Sequence, residues 1–273
     1  MSSKIKFSII SVVYNRVSTI ENMIKSVIAQ DYDDIEFIII DGKSTDGTVE
    51  VLKRYDKYIT FWSSEPDNGI YDAMNKGIIK ATGDYIQFIG SDDCFLNSRV
   101  ISSIAQEICD SADIFSSRVI CVDEACNYEK DFGHYEASFG QYKFPWIQHG
   151  GAFVKLGVAK KYIFDTEYKV AADLKFILQC VIDPDIYIQY SDIQSIYFAM
   201  SGFSSEQNND LCMFENQKIM DELGIDCCVK KTSRLKNLIK STSLFAYYQK
   251  VRKIYSISWR KHECGNSWCR WCR

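Results

Sequence analysis

Several features that mark whole protein classes are missing from this sequence. Only three prolines and 14 glycines occur in 273 residues. That is too few for a collagen-like chain, a linker or a low-complexity segment. No internal repeat is visible, which excludes solenoid and propeller arrays. No apolar run reaches the roughly 18 residues of a membrane-spanning helix. The amino terminus, Met1-Ser2-Ser3-Lys4, leads straight into an apolar segment without the pattern of a secretory leader. Disulfide pairing is also not indicated. The 11 cysteines are odd in number, and Cys94, Cys109, Cys121, Cys180 and Cys212 sit in apolar or helical surroundings. Reduced thiols in a cytoplasmic protein are expected.

Charge of one sign is lacking overall, with a net charge of −4, but the near-balance hides an asymmetry. From Lys230 to Arg273 there are 12 Lys/Arg against a single acid, Glu263. That tail carries +11 and leaves −15 for the rest of the chain. A basic tail on an acidic body points to an anionic partner, a membrane surface or nucleic acid.

What is present is a large apolar and aromatic content, 47% and 14%, enough for a substantial core. The first ninety residues alternate buried strands with amphipathic helices. Strands are expected over residues 5–14, 36–41, 59–63 and 85–89. Helices are expected from a Ser18/Glu21 capping box onward, over 48–55 and over 70–80. Alternation of this kind implies βαβ units and a mostly parallel sheet flanked by helices. Beyond residue 93 the pattern loosens. A helix is expected over 98–109, strands over 113–122 and 127–132, and a helix over 170–181. A short pair of strands is expected over 186–190 and 195–199, then a helix over 211–223 capped by Gly224. A basic, partly amphipathic helical stretch spans 231–253.

The polar residues cluster behind the strands. Tyr14-Asn15-Arg16 follows the first, and Asp41-Gly42-Lys43-Ser44-Thr45-Asp46-Gly47 closes the second. Glu65-Pro66-Asp67-Asn68-Gly69 follows the third, and Gly90-Ser91-Asp92-Asp93 the fourth. In an open α/β sheet, ligands bind beyond the carboxyl ends of the strands. Adjacent acids there, with no basic partner in sequence, suit a divalent cation holding a phosphate-bearing substrate. Taken alone, Asp92-Asp93 also fits a turn that caps the next helix.

The ordered set resembles the family 2 glycosyltransferases, with their GT-A (Rossmann-like) fold. The residues carrying the resemblance are Ser8-Ile9-Ile10-Ser11-Val12-Val13-Tyr14-Asn15 and Ile39-Ile40-Asp41-Gly42-Lys43-Ser44-Thr45-Asp46-Gly47-Thr48. Asp67-Asn68-Gly69-Ile70-Tyr71-Asp72-Ala73-Met74-Asn75-Lys76-Gly77, Ala81-Thr82-Gly83-Asp84-Tyr85-Ile86 and Ser91-Asp92-Asp93 complete it. The string from Gly69 to Gly77 is similar to a subgroup that builds bacterial surface polysaccharides.

This resemblance implies an inverting, hexosyltransferase-type enzyme that moves a sugar from a nucleotide donor, UDP before GDP, to a glycan or lipid-linked saccharide hydroxyl. It implies donor binding by Val13, Tyr14, Asn15, Asp41, Asp67, Asn68, Lys76, Ser91 and Asp92. Asp41 would accept a hydrogen bond from the base. Asp93 would hold Mg2+ or Mn2+, with His149 as a further ligand. Ser91 stands where the family's Asp-x-Asp motif has its first acid. Asp173, a lone acid opening an apolar helix, would be the general base, with Asp165 and Asp183 as competitors. Asp46-Gly47 is expected to cap the second helix, and Lys76 serves equally as a solvated residue.

The division expected is a nucleotide-sugar half over 1–95, an acceptor half over 96–225 and a basic helical tail over 226–273. In the tail, Leu235, Leu238, Ile239, Leu244, Phe245, Tyr247 and Tyr248 interleave with lysines. Such a helix can lie on anionic lipid at the inner face of a cell membrane or pack on the body. His262-x-Cys264-x4-Cys269-x2-Cys272 offers zinc ligands, though not at the spacing of a standard finger. A metal-dependent nucleotidyltransferase is a competing class, but it would want a Gly-rich phosphate loop where Tyr14-Asn15-Arg16-Val17-Ser18 has no glycine. A nucleic-acid-binding protein is disfavoured by the acidic body.

Overall fold

The computed structural model describes residues 4–123, 127–131, 133–139, 141–200, 209–225 and 260–272. The first part is β1 (Phe7–Val13), α1 (Ile20–Ile28), β2 (Ile35–Asp41), α2 (Thr48–Arg54), β3 (Phe61–Ser64), α3 (Ile70–Lys80) and β4 (Tyr85–Phe88). Strands β3, β2, β1 and β4 lie side by side, all parallel. Their register aligns Val13 with Asp41 and Asp41 with Ser64, and sets Ile10 beside Phe88. The four polar loops therefore leave from one edge.

The strands read as almost unbroken apolar runs because both sheet faces are covered. Successive side chains point to opposite faces. Ile10, Ile38 and Ile40 pack under α3. Ile9, Phe37 and Ile39 pack against α1 and α2. Each such buried side chain contributes about 1.5–3 kcal/mol. Helix α3 lies so close to β1 that a Cβ on Gly77 would sit 2.5 Å from Ile10 Cγ2.

The second part adds β5 (Cys94–Phe95), α4 (Val100–Glu107), β6 (Ile114–Asp123), β7 (Tyr128–Asp131), β8 (Glu136–Phe139), β9 (Tyr142–Pro145) and β10 (Ala152–Lys155). It continues with α5 (Leu156–Lys161), α6 (Ala172–Ile182), β11 (Ile188–Ala199), α7 (Asn209–Glu222) and β12 (Arg260–Lys261). Strand β10 is inserted antiparallel between β4 and β6. The same sheet thus runs through both parts, and α3, α5, α6 and α7 share one core beneath it.

Several local expectations are corrected. Where two strands were expected over 186–190 and 195–199, residues 188–199 form one, because β11 keeps its pairing with β6 through register shifts around Gln194. The polar run Ser191-Asp192 had hidden that continuity. The β8–β9 hairpin and the β10–α5 pair have no counterpart among the expected elements. The Ser18 capping box does not form. Thr19 precedes α1 without a side-chain cap. Glu21 instead accepts the Tyr55 hydroxyl and pairs with Lys25, partners that supply an ammonium in place of a backbone N–H. The cap at Gly224 is as expected: its φ is 63°, and the Ile225 N–H returns to the Met220 carbonyl at 2.9 Å.

Residues 226–259, which hold most of the expected basic tail, lie outside the described residues. Residues 260–272 are described, and they do not continue a helix. They add β12 antiparallel to β7 and end in a 3-10 turn, Arg270–Cys272.

Candidate active site

The loops behind β1, β2 and β3 are tied together by side chains. Asp41 is fully buried. Its Oδ1 accepts the Ser44 hydroxyl, and its Oδ2 accepts the Ser44 N–H and the Ser64 hydroxyl. Hydrogen bonds to an ionised group contribute about 1.5–3 kcal/mol each, so Asp41 organises this edge. Asn15 sits at φ 52°, a conformation that asparagine tolerates. Its N–H donates to Ser44 Oγ, and its side-chain oxygen accepts the Thr45 N–H. Asp46 accepts the Thr48 N–H and hydroxyl at the start of α2, the capping role expected of it.

Tyr14 and Asp67 approach one another over the Gly42 backbone. Tyr14 is 62% exposed. Asp67 lies across Gly42 from it: a Cβ on Gly42 would sit 2.5 Å from Asp67 Oδ2 and 3.4 Å from the Tyr14 ring. Asp67 is half-buried and its Oδ1 accepts the Gly69 N–H at 3.0 Å, while both oxygens of Asp41 are engaged by Ser44 and Ser64. Val13 is buried and reaches the loop only through its carbonyl, which accepts the Gly42 N–H.

Asn68 and Lys76 belong to a closed cluster at the start of α3. The Asn68 N–H donates to Asp72 Oδ2 at 2.9 Å, and Lys76 pairs with the same carboxylate at 3.2 Å while donating to the Pro66 carbonyl. Neither lines the cavity described next. Asn75 makes reciprocal hydrogen bonds with the backbone of Phe164, pinning the loop before α6 onto α3.

A cavity of about 430 Å3 opens at the carboxyl end of β4. Arg16, Asp92, Asp93, His149 and Asp173 all line it, with Ser91, Trp146 and Tyr71. Asp93 is 4% exposed. Its Oδ1 accepts the Ala199 N–H at 2.8 Å and its Oδ2 the Gly90 N–H at 3.2 Å. Burial, and then the neighbouring Asp92, push its carboxyl up to about 8, against the opposing pull of those two N–H groups and of Arg270. Around Asp93 the charge of Asp92 outweighs that of Arg270, a local shortage of positive charge.

A divalent cation fits that shortage, held by Asp92 and Asp93. Among the described residues, the one group of three candidate ligands gathered close together lies elsewhere, at His262, Cys264 and Cys269. An ion at Asp92-Asp93 would therefore take its remaining ligands from substrate and water, the coordination Mg2+ favours. His149 is not gathered with these acids into such a group. Its ring stacks on Phe88 at 5.4 Å and meets Phe164 edge-on at 5.6 Å. Burial lowers its pKa although Asp173 opposes the shift, so a neutral imidazole faces the cavity.

Asp173 lies in the first turn of α6, where an acid can simply favour the helix dipole. A second acid stands just ahead of that helix. Glu215 of α7 accepts the N–H groups of Lys169, Val170 and Ala171 at 2.7, 2.9 and 3.0 Å. Asp173 instead faces the cavity and accepts the Tyr71 hydroxyl at 2.9 Å. Burial, then the Asp173 charge, pushes the Tyr71 pKa far up, so the phenol remains a donor. The competing acids are engaged elsewhere. Asp165 pairs with Lys175 at 2.7 Å, and Asp183 pairs with Lys161 at 2.7 Å while accepting the Tyr162 hydroxyl. The bond from Lys161, then that from Tyr162, draws Asp183 down to about 2. Neither lines the cavity.

Sequence reading gave no role to Arg16, Tyr71 or Glu215. Arg16 stood in a strand-end cluster and Tyr71 inside the Gly69–Gly77 string, so both had a positional signal. Glu215 had none, because its partners lie more than 40 residues upstream.

Glycosyl transferase family 2 matches residues 8–155. An uncharacterized glycosyltransferase of Mycobacterium tuberculosis is 31% identical over 186 residues, covering 67% of this chain and 71% of the relative. Among solved structures, S. aureus TarS 1-349 in complex with UDP-GlcNAc gives a TM-score of 0.61 at 19% identity, covering 92% of this chain and 73% of that one. Against the longer TarS chain the match spans 44% of that chain's length. The mannosyltransferase PcManGT from Pyrobaculum calidifontis, in complex with GDP-Man and Mn2+, gives 0.62 at 13% identity, covering 93% and 71%. At these identities the structural likeness is one of fold.

Proposed function

This chain belongs to glycosyl transferase family 2, and from that premise we propose how its residues divide the transfer of a sugar. The carrying observation is that Asp92, Asp93 and Asp173, eighty residues apart in sequence, line one cavity. Tyr14 stacks on the base of a nucleotide-sugar donor, and Asp67 accepts the base N–H at its half-buried carboxylate. Asn15 and Asp41 hold the loop that carries them. Asp92 and Asp93 hold Mg2+ or Mn2+, which when bound neutralises charge growing on the leaving diphosphate. Arg16 adds a fixed positive charge on the same wall. Ser91 and His149 contact the donor as neutral groups, and Trp146 covers the sugar. Lys76 stays with Asp72. Asp173 takes the proton of the acceptor hydroxyl as it attacks the anomeric carbon. One base and one displacement imply inversion.

UDP is the preferred nucleotide and GDP the alternative; the two structural neighbours were captured with one each. Stabilisation by ligand follows RT ln(1 + [L]/Kd), about 2.7 kcal/mol at a hundredfold excess over Kd. In a thermal-shift screen with Mn2+, UDP should raise the unfolding midpoint more than GDP. A response to GDP alone would reverse the donor assignment. Absence of any nucleotide response would overturn the donor-site reading.

The acceptor is a glycan or lipid-linked saccharide of bacterial surface polysaccharide synthesis, reached at the inner face of the cell membrane. No described helix is long and apolar enough to cross a membrane, so contact would be peripheral, through the basic segment within 230–253. Each lysine near an anionic surface contributes about 1 kcal/mol. Replacing Lys230, Lys231, Lys236 and Lys240 by Gln should weaken co-sedimentation with anionic vesicles by at least about 10²-fold at low salt. Unchanged sedimentation would remove the membrane contact.

A further inference from the structure

The described C-terminal residues hold a cluster the transfer reaction does not use. His262, Cys264 and Cys269 bring one imidazole nitrogen and two sulfurs within 4.8 Å of one another. His262 and Cys269 are each 1% exposed, and Cys264 is half-buried. His262 Nε2 lies 3.0 Å from Cys269 Sγ. Its Nδ1 is 2.5 Å from Oε2 of Glu129, itself buried. We propose that these three residues form a zinc site, independent of the Asp92-Asp93 site and of the transfer mechanism.

Chemistry and geometry both favour that metal. Tetrahedral zinc, with bonds of about 2.3 Å to sulfur and about 2.0–2.1 Å to nitrogen, sets its ligand atoms roughly 3.5–3.8 Å apart. The spacings here bracket that range, so small side-chain movements suffice. Thiolate and imidazole select zinc over Mg2+ or Mn2+, whereas the oxygen-only pair Asp92-Asp93 has the opposite preference. Zinc-bound histidines commonly give their other nitrogen to a carboxylate, which fixes the tautomer and strengthens the ligand. Glu129 occupies that position.

The fold places the ligands through contacts that leave the ligating atoms aside. Pairing of β12 with β7 sets Arg260 opposite Glu129, and the His262 N–H donates to the Asn127 carbonyl. The chain then turns at Gly265, φ 72°. Asn266 and Trp268 donate to the Leu96 and Phe95 carbonyls at 2.6 and 3.3 Å, returning Cys269 to His262. A two-residue strand is a weak anchor, and a metal would supply the missing cohesion. The segment anchored there packs on Cys94, next to Asp93 in sequence. Zinc would thereby staple the carboxyl terminus behind the cavity wall. Cys272, fourth in the sequence motif, has a side chain outside the described residues and is not needed for the site named here.

The test is metal content of the full chain, purified under reducing conditions and desalted. About one zinc per chain is expected by elemental mass spectrometry. Cys264→Ser and Cys269→Ser should each lose it, while Cys180→Ser, on the buried face of α6, keeps it. Replacement by Co2+ should give the absorption of a tetrahedral, thiolate-bound ion. Circular dichroism checks that each variant folds. If Cys269→Ser does not, the half-buried Cys264 variant and the native cobalt spectrum decide. Substoichiometric zinc with no cobalt–thiolate absorption would overturn the site, as would a Cys264–Cys269 disulfide in the isolated protein. Neither readout depends on transfer activity.

Discussion

Asp173→Asn should transfer sugar at least about 10²-fold more slowly than the native chain while binding donor equally well, the loss expected when a general base is removed. The amide keeps the size and can still accept the Tyr71 hydroxyl, so the fold around α6 is preserved. What disappears is the group able to take the acceptor's proton. Glu215 still holds the three N–H groups leading into the helix in that variant. Tyr71→Phe gives a graded companion. Removing one hydrogen bond to a carboxylate costs about 1.5 kcal/mol, a slowing of about tenfold, with donor KM unchanged. A purely structural tyrosine would lower stability without slowing transfer. Near-native transfer by Asp173→Asn would exclude this residue as the base.

Asp93→Asn should abolish the response of the rate to Mg2+ or Mn2+ and lower turnover by about 10²–10³-fold, since metal stabilisation of a leaving group is worth several kcal/mol. The measurement is rate against metal concentration at saturating donor. Asp93 already accepts two backbone N–H groups, so a second reading makes it a turn acid alone. That reading predicts lower thermal stability with an intact metal response, and such an outcome would refute the metal assignment. Asp92→Asn should have the smaller effect, because Asp93 is the acid whose burial leaves it most in want of positive charge.

The strands of the first half were legible because burial on both faces writes a continuous apolar run, and α3 because its apolar residues recur at helical spacing. What was missed is short or interrupted. Four residues of β10 give no period to count, and β11 is broken by polar residues exactly where its register shifts. Within the site, the acids announced themselves by following strands. Their states did not. Asp41 stands in the expected loop, yet its oxygens are occupied by Ser44 and Ser64, which is why we give the base contact to Asp67. His149 lies in the cavity wall but stacks on Phe88, which no local pattern could show.

By itself the sequence determined the alternation of strands and helices, the edge at which the polar loops gather and the family to which the chain belongs. Those properties rest on local periodicity and on residues adjacent in the chain. Tertiary structure alone decided which acids are free. Asp165 and Asp183 are held by lysines, while Asp173 lines the cavity and is met by Tyr71. It alone brought His262 and Cys269 to Glu129. Hydrogen bonds and ion pairs act over about 3 Å in space, whatever their separation along the chain, and only the folded sheet sets that distance.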